Sequence, residues 1–312
     1  MSATSIITSY IEHNRGLGKR FRSEAFVLLA FVRCIGDTPL HKIQPAMIST
    51  FVNRKGNRDI TKRIKYRILA RFFRHTVARG RLKASPMPVV AWKRSTQPRT
   101  PYIYSEDELK RLLAAVPDVT SPQSHIDAAT LRTFLLLLYG AGLRRGEARR
   151  LKIEDVDLAQ SLIHVRETKF FKTRIVPLSM SLTTAIRPFV AKRRNVRVDD
   201  GSNLFVKRNG TPLSDSGIGA AFKRLCKIAG IKREGDARNQ PRLHDLRHSA
   251  AVHRVIAWYR SGADLNDLLP KLATYLGHKD LSGTQHYLTM TEELLTEASH
   301  RFEAFARGPR HD

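Results

Sequence analysis

Cysteine is scarce. The chain has two in 312 residues, Cys34 and Cys226, far apart and outside any Cys-x-x-Cys or Cys/His spacing. That excludes a disulfide framework and a zinc cluster, and points to reduced thiols in a cytosolic setting. Long apolar runs are lacking too. The longest, Ala25 to Val32 and Phe134 to Leu138, fall well short of the roughly 20 residues that cross a bilayer. The first run follows several charges and precedes no small-residue cleavage site, so no secretory signal is expected. No repeat or low-complexity tract interrupts the text. Acidic residues are in short supply, 28 Asp and Glu against 55 Lys and Arg, which leaves a formal charge of +27.

That basic excess is spread along the whole chain and asks for a large polyanion. Nucleic acid fits best, because each phosphate neutralised by Lys or Arg releases counterions and adds affinity without sequence readout. Anionic membrane is met by a basic amphipathic terminal helix or a lipidated end, and no such motif is evident, so no membrane partner is expected. With 42% hydrophobic residues the chain can bury one large core or two modest ones. Two domains are the expectation.

Residues 1–87 read as helices only. Apolar positions recur at spacings of three and four over Ile6 to His13, Phe21 to Arg33, Pro45 to Asn53 and Ile60 to Arg79, the pattern of a small bundle. The last segment carries Lys62, Arg63, Lys65, Arg67, Arg71 and Arg74 among Ile64, Tyr66, Ile68, Leu69, Phe72 and Phe73. One face packs while the other either meets phosphate or is an ordinary solvated surface, and both readings stand. Residues 88–101, with Pro88, Pro98 and Pro101 among Ser, Arg and Lys, read as a linker. A second domain, 102–312, opens at Ser105, a capping residue followed by Glu106, Asp107 and Glu108. Helices are expected at Thr130 to Tyr139, Glu147 to Leu151, Leu182 to Arg193, Ile218 to Ala229, Arg242 to Tyr259, Leu265 to Leu276 and Thr291 to Phe305. Leu162 to Val165 and Arg174 to Val176 form a short hairpin. The class is mainly α with a small β-sheet.

Metal-free phosphodiester cleavage needs a nucleophile, cationic donors for the nonbridging oxygens and an acid for the leaving oxygen. Three segments bring these types: Ala141-Gly142-Leu143-Arg144-Arg145-Gly146-Glu147; Leu243-His244-Asp245-Leu246-Arg247-His248; and Leu276-Gly277-His278, with Tyr287 nine positions on. His244 and Arg247, three apart on an expected helix, share a face. Gly277 ends a helix and sets His278 at its edge. Singly, each has a plain alternative: a surface cation, a capping histidine, a half-buried tyrosine.

Jointly and in this order they resemble the boxes of the tyrosine recombinase, or phage integrase, family. The likeness is strong from about Tyr102 to Tyr287 and holds only as a helix pattern before that. It is nearest in build to two-domain Xer-like or transposon-borne members. The resemblance implies an N-terminal helical core-binding (SAM-like) bundle and a mixed α+β catalytic domain. Site residues follow from it too: Arg144 as the first catalytic arginine with Glu147 supporting its turn, Lys169 as the hairpin lysine with Lys172 as competitor, His244 and Arg247 in the second box, His278 in the third, and Tyr287 as nucleophile. The stretch from Ile256 to Leu269 departs from the pattern, longer by roughly two helical turns. No arm-binding N-terminal segment is expected.

What the resemblance implies is a site-specific recombinase that joins Tyr287 to the DNA 3′ phosphate and frees a 5′ hydroxyl, needing neither metal nor other cofactor. The partners implied are double-stranded DNA and further copies of the chain, a tetramer across two duplexes, coupled through a helix over Glu292 to Ala306. A partner recombinase or directionality factor is left open, as are the target sequence and the biological outcome. A bacterial, nucleoid-associated cytoplasmic location follows. Three rivals remain: a type IB topoisomerase, a DNA-binding protein without catalysis, and a zinc hydrolase built on His244 and His248, the last disfavoured by Arg247 beside the supposed metal.

Overall fold

Placement of the chain was obtained from a computed structural model, which describes residues 2–92, 100–166, 173–195, 201–236 and 239–277, with Thr296 and Ser299. The chain divides into two compact units, residues 1–97 and 98–312, each with its own hydrophobic core. Both are dominated by helix, and the described strands form one small sheet in the second unit.

In the first unit Ser2 caps α1 (Ala3–Gly16), its hydroxyl accepting from the Thr4 amide at 3.1 Å. There follow α2 (Arg22–Ile35), α3 (Pro45–Val52), with proline at its first position, and α4 (Asp59–Ala78). The apolar stripes of all four converge on Ile7, Leu28, Phe31, Ile48, Leu69, Phe72 and Phe73, which are fully buried. Phe21 enters α2 with φ at +43°, a conformation held by its buried ring packing edge-on against Tyr10 at 5.6 Å. The segment expected to be linker belongs to this unit at least as far as Trp92. The Tyr66 hydroxyl donates to the Pro88 carbonyl at 2.7 Å, and Trp92 packs edge-on against Tyr66.

The second unit opens on α5 (Glu106–Ala114), for which Ser105 and Glu108 cap each other's amides at 3.1 and 2.9 Å. A single turn, α6 (Val116–Val119), leads to α7 (Ala128–Gly140). The latter is buried on most of its circumference through Leu131, Phe134, Leu135, Leu137 and Leu138, which is why its apolar run lacks a clean stripe. It packs against α9 (Met180–Asn195) and α11 (Asp245–Arg260). Between them lie the short α8 (Arg145–Arg150) and an antiparallel sheet, β1 (Val156–Asp157), β2 (Leu162–Val165) and β3 (Arg174–Pro177). The register pairs Ile163 with Val176 and Val165 with Arg174, turning Val156, Ile163, Val165 and Val176 into the core. β1 was not anticipated, since two residues are too few for an alternation to register.

α10 (Asp215–Ile228) precedes α11, which begins three residues later than expected. The Asp245 carboxylate accepts from the amide and guanidinium of Arg242, each at 2.9 Å, and folds that segment into a turn ahead of the helix. α12 (Leu265–Leu276) follows across Gly262 at φ +68°, with Asp264 capping the Asn266 amide at 2.8 Å. The lengthened stretch 256–269 is therefore the far end of a helical hairpin. It has a small core of its own, in which Trp258, Tyr259, Leu265 and Leu269 cover Val252, Val255, Ile256 and Leu272.

Gly142 is the tightest joint in the unit. It has φ +58°, and a Cβ there would stand 2.7 Å from Cδ2 of Leu276 on α12. Gly142→Ala should destabilise the protein by about 1–3 kcal/mol through backbone strain and overpacking together, read as a lowered midpoint in denaturant melts of the whole chain.

Candidate active site and nucleic-acid interface

The site grows from the end of α7. Its last turn runs into Ala141 and Leu143, both fully buried, and the left-handed Gly142 between them reverses the chain so that Arg144 stands at the N-cap of α8. Glu147, one turn on, accepts from the Arg144 amide at 3.0 Å and from its Nη1 at 2.7 Å. The same carboxylate is gripped from the other side by Arg174 of β3, whose Nη1 and Nη2 reach the two oxygens at 3.0 and 2.9 Å. Burial works to raise the Glu147 pKa. The hydrogen bonds and charge of Arg174, then the backbone and side-chain hydrogen bonds of Arg144, outweigh it and hold the carboxyl at about 2.

Both arginines of the resemblance point to the end of α12. Arg144 Nη2 donates to the Gly277 carbonyl at 2.6 Å. Arg247 makes short bonds from Nη1 to the Gly142 carbonyl and from Nη2 to the Leu276 carbonyl. Three sequence boxes thus meet through carbonyls of consecutive residues, 276 and 277. The two arginines are not equally presented: the Arg144 side chain is 32% exposed, whereas Arg247 is 2% exposed. A guanidinium carries five N–H donors, and two of those on Arg144 are spent on Glu147 and Gly277.

His244 sits at the N-cap of α11, one turn ahead of Arg247. Crowding by protein on its inner edge lowers its pKa from the usual 6.5, and Arg247, Arg242 and Arg144 push the same way against Asp245. His244 is exposed, and with its pKa lowered the imidazole is neutral at pH 7, able to accept a proton. The other ring of the possible metal pair, His248, meets His244 edge-on at 4.8 Å. Among the described residues no group of three or more His, Cys, Asp or Glu is gathered to hold a metal.

Arg144, His244 and Arg247 are thus brought together. Lys169, Lys172, His278, Tyr287 and the helix expected over 292–306 lie outside the described residues. Residues that sequence reasoning missed tie the site down. Tyr104, fully buried, donates its amide N–H to the Ser249 hydroxyl oxygen at 2.8 Å and its own hydroxyl to the Arg242 carbonyl at 3.1 Å, fixing α11 to the start of the unit. Arg174 carried one legible signal, a cation opening a strand that had to pack on the core. Nothing in the sequence named Glu147 as its partner.

In the first unit, the six basic residues of α4 fall into two groups. Arg67, Arg71 and Arg74 are exposed along one stripe. Lys62 pairs with Asp59 at 3.6 Å, Arg63 lies over the Trp92 ring, and Lys65 sits 4.3 Å from the Phe51 ring centre. Lys65 also donates to the Phe51 carbonyl at 3.4 Å, and burial followed by the charge of Arg54 lowers its pKa.

This division has a measurable consequence. Arg71→Ala should weaken DNA binding and reduce the slope of log K against log salt by about one, whereas Lys65→Ala should lower the melting temperature more than the affinity, both read by salt-dependent titrations alongside thermal melts. For His244, imidazole proton shifts followed by NMR in the DNA-free protein should show a transition below that of an exposed histidine. Because the folded pKa is depressed, protonation opposes folding, and stability should fall as pH drops from about 6.5.

Comparison with known proteins bears on the whole of this arrangement. The phage integrase family pattern matches residues 103–293. The chain is 32% identical over 305 residues to a Sinorhizobium fredii protein provisionally named integrase/recombinase y4rB, covering 95% of this chain and 96% of that one. It is 26% identical to the tyrosine recombinase XerC of Oceanobacillus iheyensis, over 93% and 90% of the two chains. Among solved structures, the Tn1549 transposon integrase in complex with transposon right end DNA superposes with a TM-score of 0.65 at 18% identity, covering 98% of this chain and all of that one; at that identity it speaks for the fold. With three boxes converging on one edge and a family match that spans them, the chain belongs to the phage integrase family and is a tyrosine recombinase, a DNA strand transferase.

Proposed function

We propose that the chain cleaves and rejoins its DNA site with Tyr287 as nucleophile. The observation that carries this reading is the convergence of Arg144 and Arg247 on the Leu276–Gly277 edge, with His244 one turn ahead of Arg247 on its helix, at the point from which the chain runs on to His278 and Tyr287. A phosphodiester approaching that edge replaces the neutral Gly277 carbonyl with an anionic oxygen as partner of the Arg144 guanidinium, and charge-assisted bonds are the stronger kind. Arg144 makes the exposed contact and Arg247 supplies charge from below. Both stabilise negative charge gathering on the nonbridging oxygens as phosphorus becomes five-coordinate.

Tyrosine has a reference pKa of about 10 and attacks poorly at neutral pH as the phenol. His244, neutral at pH 7, takes the phenol proton. The Tyr287 oxygen bonds to phosphorus, the bond to the 5′ oxygen breaks, and Lys169 protonates that leaving oxygen. His278 donates a hydrogen bond to a nonbridging oxygen. Attack of a 5′ hydroxyl from a partner strand on the 3′-phosphotyrosine reverses the step, with bond energy conserved.

The first unit grips the duplex through the Arg67, Arg71 and Arg74 stripe. A tetramer across two duplexes, coupled through residues 292–306, brings the strands together in the nucleoid, with a partner recombinase or directionality factor setting the outcome. Support for a DNA-bound assembly comes from solved relatives, among them a λ integrase dimer on a core site.

The test incubates the protein with duplexes spanning the junctions that flank its own gene and looks for an adduct that survives denaturant. Wild type should form it, and Tyr287→Phe should bind equally and form none. Binding without adduct by wild type would favour a binding-only role, and relaxation of supercoils without strand exchange would favour a topoisomerase.

A further inference from the structure

Arg174 is part of no box in the sequence, yet it touches both the start of α8 and the end of α12. It opens β3, the strand that leaves the hairpin expected to carry Lys169. Its two terminal nitrogens form a fork on Glu147 at 3.0 and 2.9 Å, and its Nε donates to the Tyr275 carbonyl at 3.0 Å. Its guanidinium lies so close to Gly277 that a Cβ there would stand 2.9 Å from Nη1. The side chain is 12% exposed over a Glu147 that is 3% exposed.

The geometry is that of a two-sided clamp on one carboxylate. Glu147 Oε1 accepts from both Arg144 Nη1 at 2.7 Å and Arg174 Nη1 at 3.0 Å. With Arg174 in place both oxygens are shared, Oε1 between the two guanidinium groups and Oε2 between Arg174 Nη2 and the Arg144 amide, so the Arg144 guanidinium is engaged through a single bond, its Nη2 turned to the Gly277 edge. Without Arg174 each oxygen loses one donor, and Oε2 becomes open to the Arg144 guanidinium, whose fork matches a carboxylate bidentately. Arg144 would then swing from the edge toward α8. The end of α12 would lose its bond at Tyr275 in the same event.

We infer that Arg174 is a positioning residue for strand cleavage: by occupying Glu147 and the end of α12 it keeps the Arg144 guanidinium turned toward the position of the scissile phosphate. This rests on the reading of Arg144 as the phosphate clamp. Arg174 itself lies behind Glu147 and touches no substrate.

The experiment measures DNA affinity, melting temperature and the single-turnover rate of adduct formation at saturating DNA, on a nicked duplex spanning the junctions that flank the gene. Arg174→Gln should cut the rate roughly 100-fold, the scale of a misplaced catalytic group, with affinity within about twofold of wild type. Glu147→Gln should show a loss of its own, and Arg174→Gln made in that background should add nothing further, because the effect passes through Glu147. Arg174→Lys keeps the charge but not the fork, so it should melt like wild type and still cleave slowly. Wild-type cleavage by either Arg174 variant, losses that multiply in the double variant, or a fall in affinity that accounts for the slower rate would each overturn the inference. An Arg144→Ala control that cleaves normally would instead remove the clamp reading on which it rests.

Discussion

The second unit depends on one buried charge, the carboxylate of Glu147. Removing an ion from water costs several kcal/mol even after the protein relaxes, and the cost is met here by two guanidinium groups and a backbone amide. Those donors come from two places far apart in the chain: the amide and side chain of Arg144 at the cap of α8, and the side chain of Arg174, the first residue of β3. Satisfying a single carboxylate therefore fixes where a short helix starts, where a sheet edge lies and where an arginine points. The end of α12 is drawn into the same network through the carbonyls of Tyr275, Leu276 and Gly277.

Backbone carbonyls serve as the mortar of this site, and glycine makes that possible. Gly142 and Gly277 both take positive φ, and both sit where side chains from other segments press against the backbone. An alanine at either place would collide with a neighbour as well as strain its own dihedrals. The Gly-Leu-Arg and Leu-Gly-His strings are thus packing instructions as much as catalytic ones. In each, the glycine leaves room for a side chain from another segment, and the leucine beside it is buried in the core.

Much of this was legible from residue order. The helices of the first unit follow apolar spacing closely, because a four-helix core needs one stripe from each. Ser105 and Gly277 announced helix ends through cap chemistry that is local and so readable. What failed to show were features set by distant partners. α11 begins at Asp245 and not Arg242, since a carboxylate three residues on pulls the preceding amide into a turn. β1 exists only because β2 offers it an edge. The six cations of α4 looked alike in sequence, yet a Phe51 ring and a Trp92 ring claim two of them. The boxes themselves could be named through resemblance, but the Glu147–Arg174 pair joins positions that no spacing rule connects.

On the proposed mechanism Arg247 is at once a phosphate-stabilising group and a piece of the interior, one fork bridging the α7 exit to the α12 exit. Roles merged in one side chain cannot be lost separately. A descendant of this chain that keeps binding DNA but abandons chemistry has an inexpensive exit at Tyr287, where phenylalanine removes one oxygen, and a costly one at Arg247, where any replacement leaves two buried carbonyls without donors. Drift toward silence in such a lineage would run through the proposed nucleophile first, and the arginine would stay for the fold it bridges.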